Sequence, residues 1–219
     1  MKTIKIIMAL MLCGSHCFSQ NTYSLSGRKT EVFSFSPKRY LDNNVNGINV
    51  GFLDDYDGQK INGINMQLNP LVIIYPLIPK AIDFPAKEHA TVTVNGLHIS
   101  TSGMMDGKAL NGLGISAYHH AVSTNGVSVN FFNNTSSILN GIHVSGFSNN
   151  SINGNGVQIS ALNNSSENFK GLQIAAFNDS KKMKGLQIGI VNKAENLRGI
   201  QLGLWNKNEK RKLPFVNWN

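Results

Sequence analysis

The chain has 219 residues, 41% of them hydrophobic, and a formal charge of +8; that suffices for one domain of ordinary size if the apolar residues fall on one face. Its basic residues are scattered apart from Lys207, Lys210, Arg211 and Lys212, and no aromatic platforms interleave a basic face. That argues against a nucleic-acid partner and leaves anionic membrane lipid or envelope polysaccharide as candidates.

The first predicted element is a secretory signal peptide over residues 1–20. Lys2 and Lys5 precede an apolar run from Ile6 to Leu12, followed by the small or polar residues Gly14, Ser15, Ser19 and Gln20. The run is well short of the roughly 20 apolar residues of a membrane-spanning helix. Export with cleavage near Ser19 or Gln20 is expected, and removal of Lys2 and Lys5 lowers the charge from +8 to +6. Both cysteines, Cys13 and Cys17, fall inside this segment, so a mature chain would carry neither a disulfide nor a thiolate metal site. Lipidation at Cys13 is disfavoured because the bulky Leu12 precedes it, where a small residue is the norm.

Residues 21–219 read as a single β-repeat domain: irregular over 21–46, repeating over 47–206, interrupted by an insertion at 70–85, and closed by a segment at 207–219. Glycines recur at Gly47, Gly63, Gly96, Gly112, Gly126, Gly141, Gly156, Gly171, Gly185 and Gly199, spaced 14 to 16 residues apart except for one gap of 33. After each glycine, apolar and polar residues alternate, the period of a β-strand. Positions one and three after the glycine are always apolar, as at Leu172 and Ile174 or Ile200 and Leu202. Between them stand Asn49, Asn65, His98, Gly114, Ser128, His143, Gln158, Gln173, Gln187 and Gln201. One side of each strand is greasy and the other small and hydrophilic, as in an antiparallel sheet with one wet face. Polar stretches such as Asp179 to Lys182 and Lys193 to Asn196 have turn compositions. The insertion, with Leu71 to Tyr75 between prolines, spans the missing unit and is most simply a connection.

Two all-β architectures compete. In an antiparallel meander closing into a barrel, the polar half of each unit is a solvated hairpin loop, and closure removes the adhesive edges. In a parallel β-solenoid with 14–16 residues per coil, that half becomes a second wall and the asparagines stack as ladders. The polar half usually offers one inward apolar candidate, such as Phe169, Met183 or Leu197, and a hydrophilic inner wall threatens to bury unsatisfied groups. The meander is therefore preferred. Asn-Gly pairs are a strong hairpin signal, and Thr91 to Ser100 resembles such a hairpin. The equivalent pairs Lys170-Gly171, Lys184-Gly185 and Arg198-Gly199 do not suit that turn, which instead places the glycine within a strand, where a neighbour approaches closely.

A barrel with its apolar face outward would sit in an outer membrane. Arg198 and Asn206, eight residues apart, are separated by only about 26 Å along a strand, a marginal fit to an apolar band about 25 Å tall once the strand tilts. Tyr118, Phe132, Phe147, Phe177 and Trp205, six after the glycine, fall by parity on the glutamine face rather than in a lipid-facing girdle.

No catalytic, cofactor or metal site is expected. Asp54-Asp55-Tyr56-Asp57-Gly58 clusters carboxylates but lacks the later glutamate that closes a calcium loop, and reads as a turn. His98 and His143 occupy the slot filled by Gln or Asn elsewhere, and with His119 and His120 read as polar lining rather than metal ligands. Neither a serine nucleophile elbow nor a phosphate loop is present.

Gly171-Leu-Gln-Ile-Ala-Ala-Phe-Asn178, Gly185-Leu-Gln-Ile-Gly-Ile-Val-Asn192 and Gly199-Ile-Gln-Leu-Gly-Leu-Trp-Asn206 resemble the exported bacterial surface-repeat proteins built on tandem Gly-Leu-Gln-Ile-Gly-Leu-x-Asn units. The likeness covers about residues 156–218; upstream, His or Ser replaces Gln and Ser replaces the second Gly. The resemblance implies export and an envelope address and supplies no functional residues. The expected function is thus a non-enzymatic envelope protein, an outer-membrane β-barrel of structural or interaction role. The alternatives are a secreted or surface-attached β-solenoid serving as a binding or adhesive scaffold and, more remotely, a small-molecule pore.

Overall fold

The computed structural model describes residues 29–35, 43–52, 58–70, 84, 90–101 and 107–219. The proposed signal segment, both cysteines, Asp54 to Asp57 and Leu71 to Tyr75 lie outside them. Eleven strands follow in chain order: β1 (Lys29–Phe35), β2 (Asn43–Phe52), β3 (Lys60–Leu68), β4 (Val92–Ser100), β5 (Lys108–Ser116), β6 (His119–Asn130), β7 (Asn133–Ser145), β8 (Ser148–Ser160), β9 (Asn163–Ile174), β10 (Phe177–Lys207) and β11 (Lys212–Trp218). They form one sheet in sequential order. Pairing is parallel from β1 to β10, and only β11 turns back antiparallel on β10.

This is a β-solenoid, and the expected antiparallel barrel is wrong. Parallel neighbours about one repeat apart require the chain to complete a circuit between them, so the polar half of each unit is a second wall rather than a hairpin loop. Thr91 to Ser100 is correspondingly no hairpin: Val92 to Ser100 runs straight through Asn95-Gly96 as one strand. The insertion adds no rung, because β3 and β4 are hydrogen-bonded neighbours with Gly63 beside Gly96.

The repeating glycine sets the register. From Gly47 to Gly185 each one pairs with the glycine of the next coil. At Gly141, φ is 121°, and an added Cβ would strike the carbonyl oxygen of Gly126. Any other residue meets both a forbidden backbone angle and a backbone clash there. The placement of the glycine inside a strand is thus correct.

The hydrophilic face of the strand closes on a packed interior, not on the wet lumen that the barrel implied. Two residues before the glycine, Val45, Ile61, Val94, Leu110, Leu139, Phe169, Met183 and Leu197 are buried and build the apolar part of the interior. Two residues after it, Asn49, His98, His143, Gln158, Gln173, Gln187 and Gln201 are buried as well, so the hydrophilic side of the alternating strand faces inward. The apolar positions one and three after the glycine face out, with Ile142 47% and Ile115 44% exposed.

A polar interior is tolerable because parallel, in-register stacking brings identical amides together. Gln173 donates to Gln158 at 3.0 Å, Gln187 to Gln173 at 2.9 Å, Gln201 to Gln187 at 2.8 Å and Asn217 of β11 to Gln201 at 3.0 Å. At the far corner Asn149, Asn164, Asn178, Asn192 and Asn206 form a second ladder with links of 2.8 to 3.0 Å. Each amide of this ladder from Asn149 to Asn192 also donates to a strand carbonyl ten residues on, such as Ile174 for Asn164 at 2.9 Å. The burial penalty that disfavoured the solenoid is offset by neighbours 14 to 16 residues away.

Candidate functional site

The outward apolar columns are the most distinctive surface of the molecule. Ile48, Ile64, Leu113, Val127, Ile142 and Ile200 mark one column, and Met66, Ile99, Ile115, Val129 and Leu202 mark the next, all more than a third exposed. No polar side chain interrupts either column from β2 to Leu202. Ten rungs at about 4.8 Å give a length of about 45 Å, and two columns each about 6.6 Å wide give a width of about 13 Å, hence an area of about 600 Å². Isolated monomers rarely carry a contiguous apolar patch above roughly 300–600 Å², and a stable protein interface buries about 800 Å² per partner. The wall therefore reaches the top of the first range and approaches the second, the dimensions of a small docking surface.

Its borders differ. Along one edge runs the aromatic row Tyr118, Phe132, Phe147, Phe177 and Trp205. Parity put this row with the glutamines, but the chain turns the corner between the fourth and seventh positions after the glycine and swings it outward. Phe177 is 51% and Trp205 49% exposed, and Tyr118, Phe132 and Phe147 stack with centroids 4.7 and 5.6 Å apart.

Along the other edge, one residue before the glycine, the column changes character. Asn46, Asn62, Asn95, Asn111, Asn125, Asn140 and Asn155 form a third amide ladder with links of 2.7 to 3.0 Å. In the last three coils the same column holds Lys170, Lys184 and Arg198, with Lys170 and Lys184 as direct register partners. No carboxylate pairs with any of the three among the described residues: Glu167 bridges instead to Lys181 at 2.7 Å and Asp179 to Lys193 at 3.1 Å. With Lys182, Phe169, Met183 and neighbouring asparagines they line an open groove of about 530 Å³.

No family model, curated protein or solved structure matches this chain. Its chemistry must be read from its own geometry.

His98, His119 and His143 are interior lining, whereas His120 is half-buried. Asn49 donates to Asn65 at 2.7 Å, and Asn65 in turn donates to His98 Nδ1 at 3.0 Å, which places the imidazole proton on Nε2. His143 Nδ1 meets Ser128 Oγ at 2.8 Å and His119 Nε2 meets Thr124 Oγ1 at 2.8 Å. Burial, reinforced by the Lys108 charge, lowers the His98 pKa from 6.5 to about 3. Burial likewise lowers His143 to about 4, against a smaller upward pull from a backbone hydrogen bond at Asn140. His119 is held well below the usual value by burial and then by the other histidines and Lys108. All three are neutral at pH 7. Among the described residues no group of three or more His, Cys, Asp or Glu is arranged to hold a metal ion.

The C-terminal basic cluster sits at the turn from β10 to β11. Asn208 Oδ1 accepts from the backbone N–H groups of Lys210 and Arg211 at 3.0 and 2.9 Å. Arg211 donates to the Trp218 carbonyl at 2.7 Å and lies 4.4 Å from its ring centroid. Sequence reasoning found the apolar columns and missed the basic one, whose only signal was that three consecutive units replace Asn by Lys or Arg before the glycine.

Proposed function

We propose that this chain is a non-enzymatic β-solenoid scaffold, exported to the cell envelope, whose apolar outer wall is its interaction surface. The observation that carries the reading is the unbroken pair of exposed apolar columns over ten rungs. Solvated columns of Ile, Leu and Val are costly at roughly 25 cal/mol per Å², and the fold does not require them, since the interior is filled by other rows. The resemblance of residues 156–218 to surface-repeat proteins and the signal-like N-terminus support the envelope address.

Size-exclusion chromatography with light scattering, with and without mild detergent, tests this. The purified protein is expected to self-associate in buffer and to carry bound detergent as a monomer. A variant with Ile142→Lys, Ile174→Lys and Leu202→Lys is expected to keep its β circular-dichroism spectrum and run as a detergent-free monomer. A wild-type chain that is monodisperse and binds no detergent would refute the scaffold reading. Recovery outside the cytoplasm with an N-terminus near Asn21, after expression in a bacterium, tests export.

A further inference from the structure

We propose that the partner of the apolar wall is a bilayer surface rich in anionic phospholipid, with Lys170, Lys184 and Arg198 receiving the headgroups; this rests on the scaffold reading above. The wall and the basic column lie side by side. Around each glycine the residues two before and two after point inward, so those one before and one after share the outward side, as Lys184 and Leu186 do about Gly185. Arg198 and Ile200 have the same relation about Gly199.

Stacking like charges on adjacent strands about 4.8 Å apart is unfavourable. The fold has a better solution for that column, because from Asn46 to Asn155 it carries amides that hydrogen-bond to one another. Replacing the amides by three cations forfeits those bonds and adds repulsion, and among the described residues no carboxylate forms an ion pair with any of the three; Glu209 only borders a small pocket beside Arg198. An anionic partner does. The groove between these side chains, about 530 Å³ and open to solvent, has room for phosphate headgroups.

The same coils also expose apolar residues beside the wall and part of its aromatic border, in a position where earlier coils expose Phe131 and Leu68. Leu204 is 64%, Ile190 51%, Phe177 51% and Trp205 49% exposed. Apolar side chains, flanking aromatics and long cationic side chains able to reach headgroups are the elements by which amphipathic surfaces lie in a bilayer interface. A second copy of this chain fits less well: two walls packed face to face hold both basic columns beside one interface, and neither apolar column supplies a carboxylate to pair them.

Vesicle flotation with the full mature chain tests the proposal, comparing zwitterionic vesicles with vesicles containing a third phosphatidylglycerol. The decisive variant is Lys170→Asn, Lys184→Asn, Arg198→Asn, which extends the existing Asn155 ladder and so preserves the fold. Wild type is expected to float with anionic vesicles in a salt-sensitive manner, and the triple variant to bind them roughly 100-fold more weakly, from three cations near an anionic surface. Equal binding to both vesicle types, or an unchanged triple variant, would overturn the anionic-lipid assignment. Self-association without flotation would overturn it in favour of a second copy, and both outcomes leave the scaffold reading intact. Absence of flotation, self-association and bound detergent together would remove both.

Discussion

Replacing Gln173 by methionine probes the polar interior directly. Gln173 is fully buried; its Nε2 donates to Gln158 at 3.0 Å, and its Oε1 accepts from Gln187 at 2.9 Å and from Ser180 Oγ at 3.0 Å. Methionine keeps the length and volume but makes none of these bonds. Ser180 Oγ loses its acceptor outright, whereas Gln187 retains the Lys193 carbonyl at 3.3 Å and Gln158 retains Ser166 Oγ at 3.4 Å. Taking about 2 kcal/mol for the orphaned hydroxyl and about 1 kcal/mol for each half-satisfied amide gives a loss of about 4 kcal/mol. Apolar burial returns about 1 kcal/mol, so the net cost is about 3 kcal/mol. On the outer wall Ile142, 47% exposed, replaced by threonine keeps its β-branching and loses about 1 kcal/mol or less. Urea unfolding followed by far-UV circular dichroism reads both; with a slope of about 2 kcal/mol/M the Gln173→Met midpoint falls by about 1.5 M. If Ile142→Thr proves the more damaging of the two, the glutamine row faces water and the assignment of inside and outside is wrong.

Gly141→Ala, whose Cβ would meet the Gly126 carbonyl at φ 121°, is expected to cost more than about 2 kcal/mol in the same assay. Gly114→Ala should cost less, because its Cβ clashes with a side-chain atom, Cδ2 of Leu110 at 2.6 Å, and not with backbone, its other neighbour being Ser128 Cβ at an ordinary 3.9 Å. Met183→Ala, at a site 1% exposed beside Phe169 and Leu197, is expected to lose about 2–5 kcal/mol by cavity formation, read as a lower thermal midpoint. Acid should destabilise the fold through the buried histidines. An unfolded imidazole protonates near pH 6.5 while His98 and His143 stay neutral to about 3 and 4, so the unfolded state binds more protons as the pH falls below 6.5. Stability is then full above about pH 7 and declines from about 6.5 downward, by about 2 kcal/mol per histidine at pH 5. A double variant His98→Asn, His143→Gln, borrowing residues the row uses in other coils, should flatten the decline in urea midpoint between pH 7 and 5; an unchanged slope would assign it to other groups.

The amino-acid sequence by itself determined the repeat length, the strand in every unit, the two unlike faces of that strand and the need for glycine where a neighbour passes close. These are local properties: alternation at period two and the size of one side chain are visible within a single unit such as Gly199 to Asn206. Which face closes on the interior was decided only by the tertiary structure. Alternation is unchanged when inside and outside are exchanged, and transfer energies of isolated residues favour burying Ile174 over Gln173. The outcome turns on contacts between Gln173 and residues 14 to 15 positions away, and such amide ladders exist only when successive units stack in parallel and in register. The outward swing of Phe177 and Trp205 has the same origin, because strand parity fails once the chain turns a corner. The row of cations at Lys170, Lys184 and Arg198 likewise becomes one surface only through the stacking of coils, which turns three isolated basic residues into a continuous charged edge.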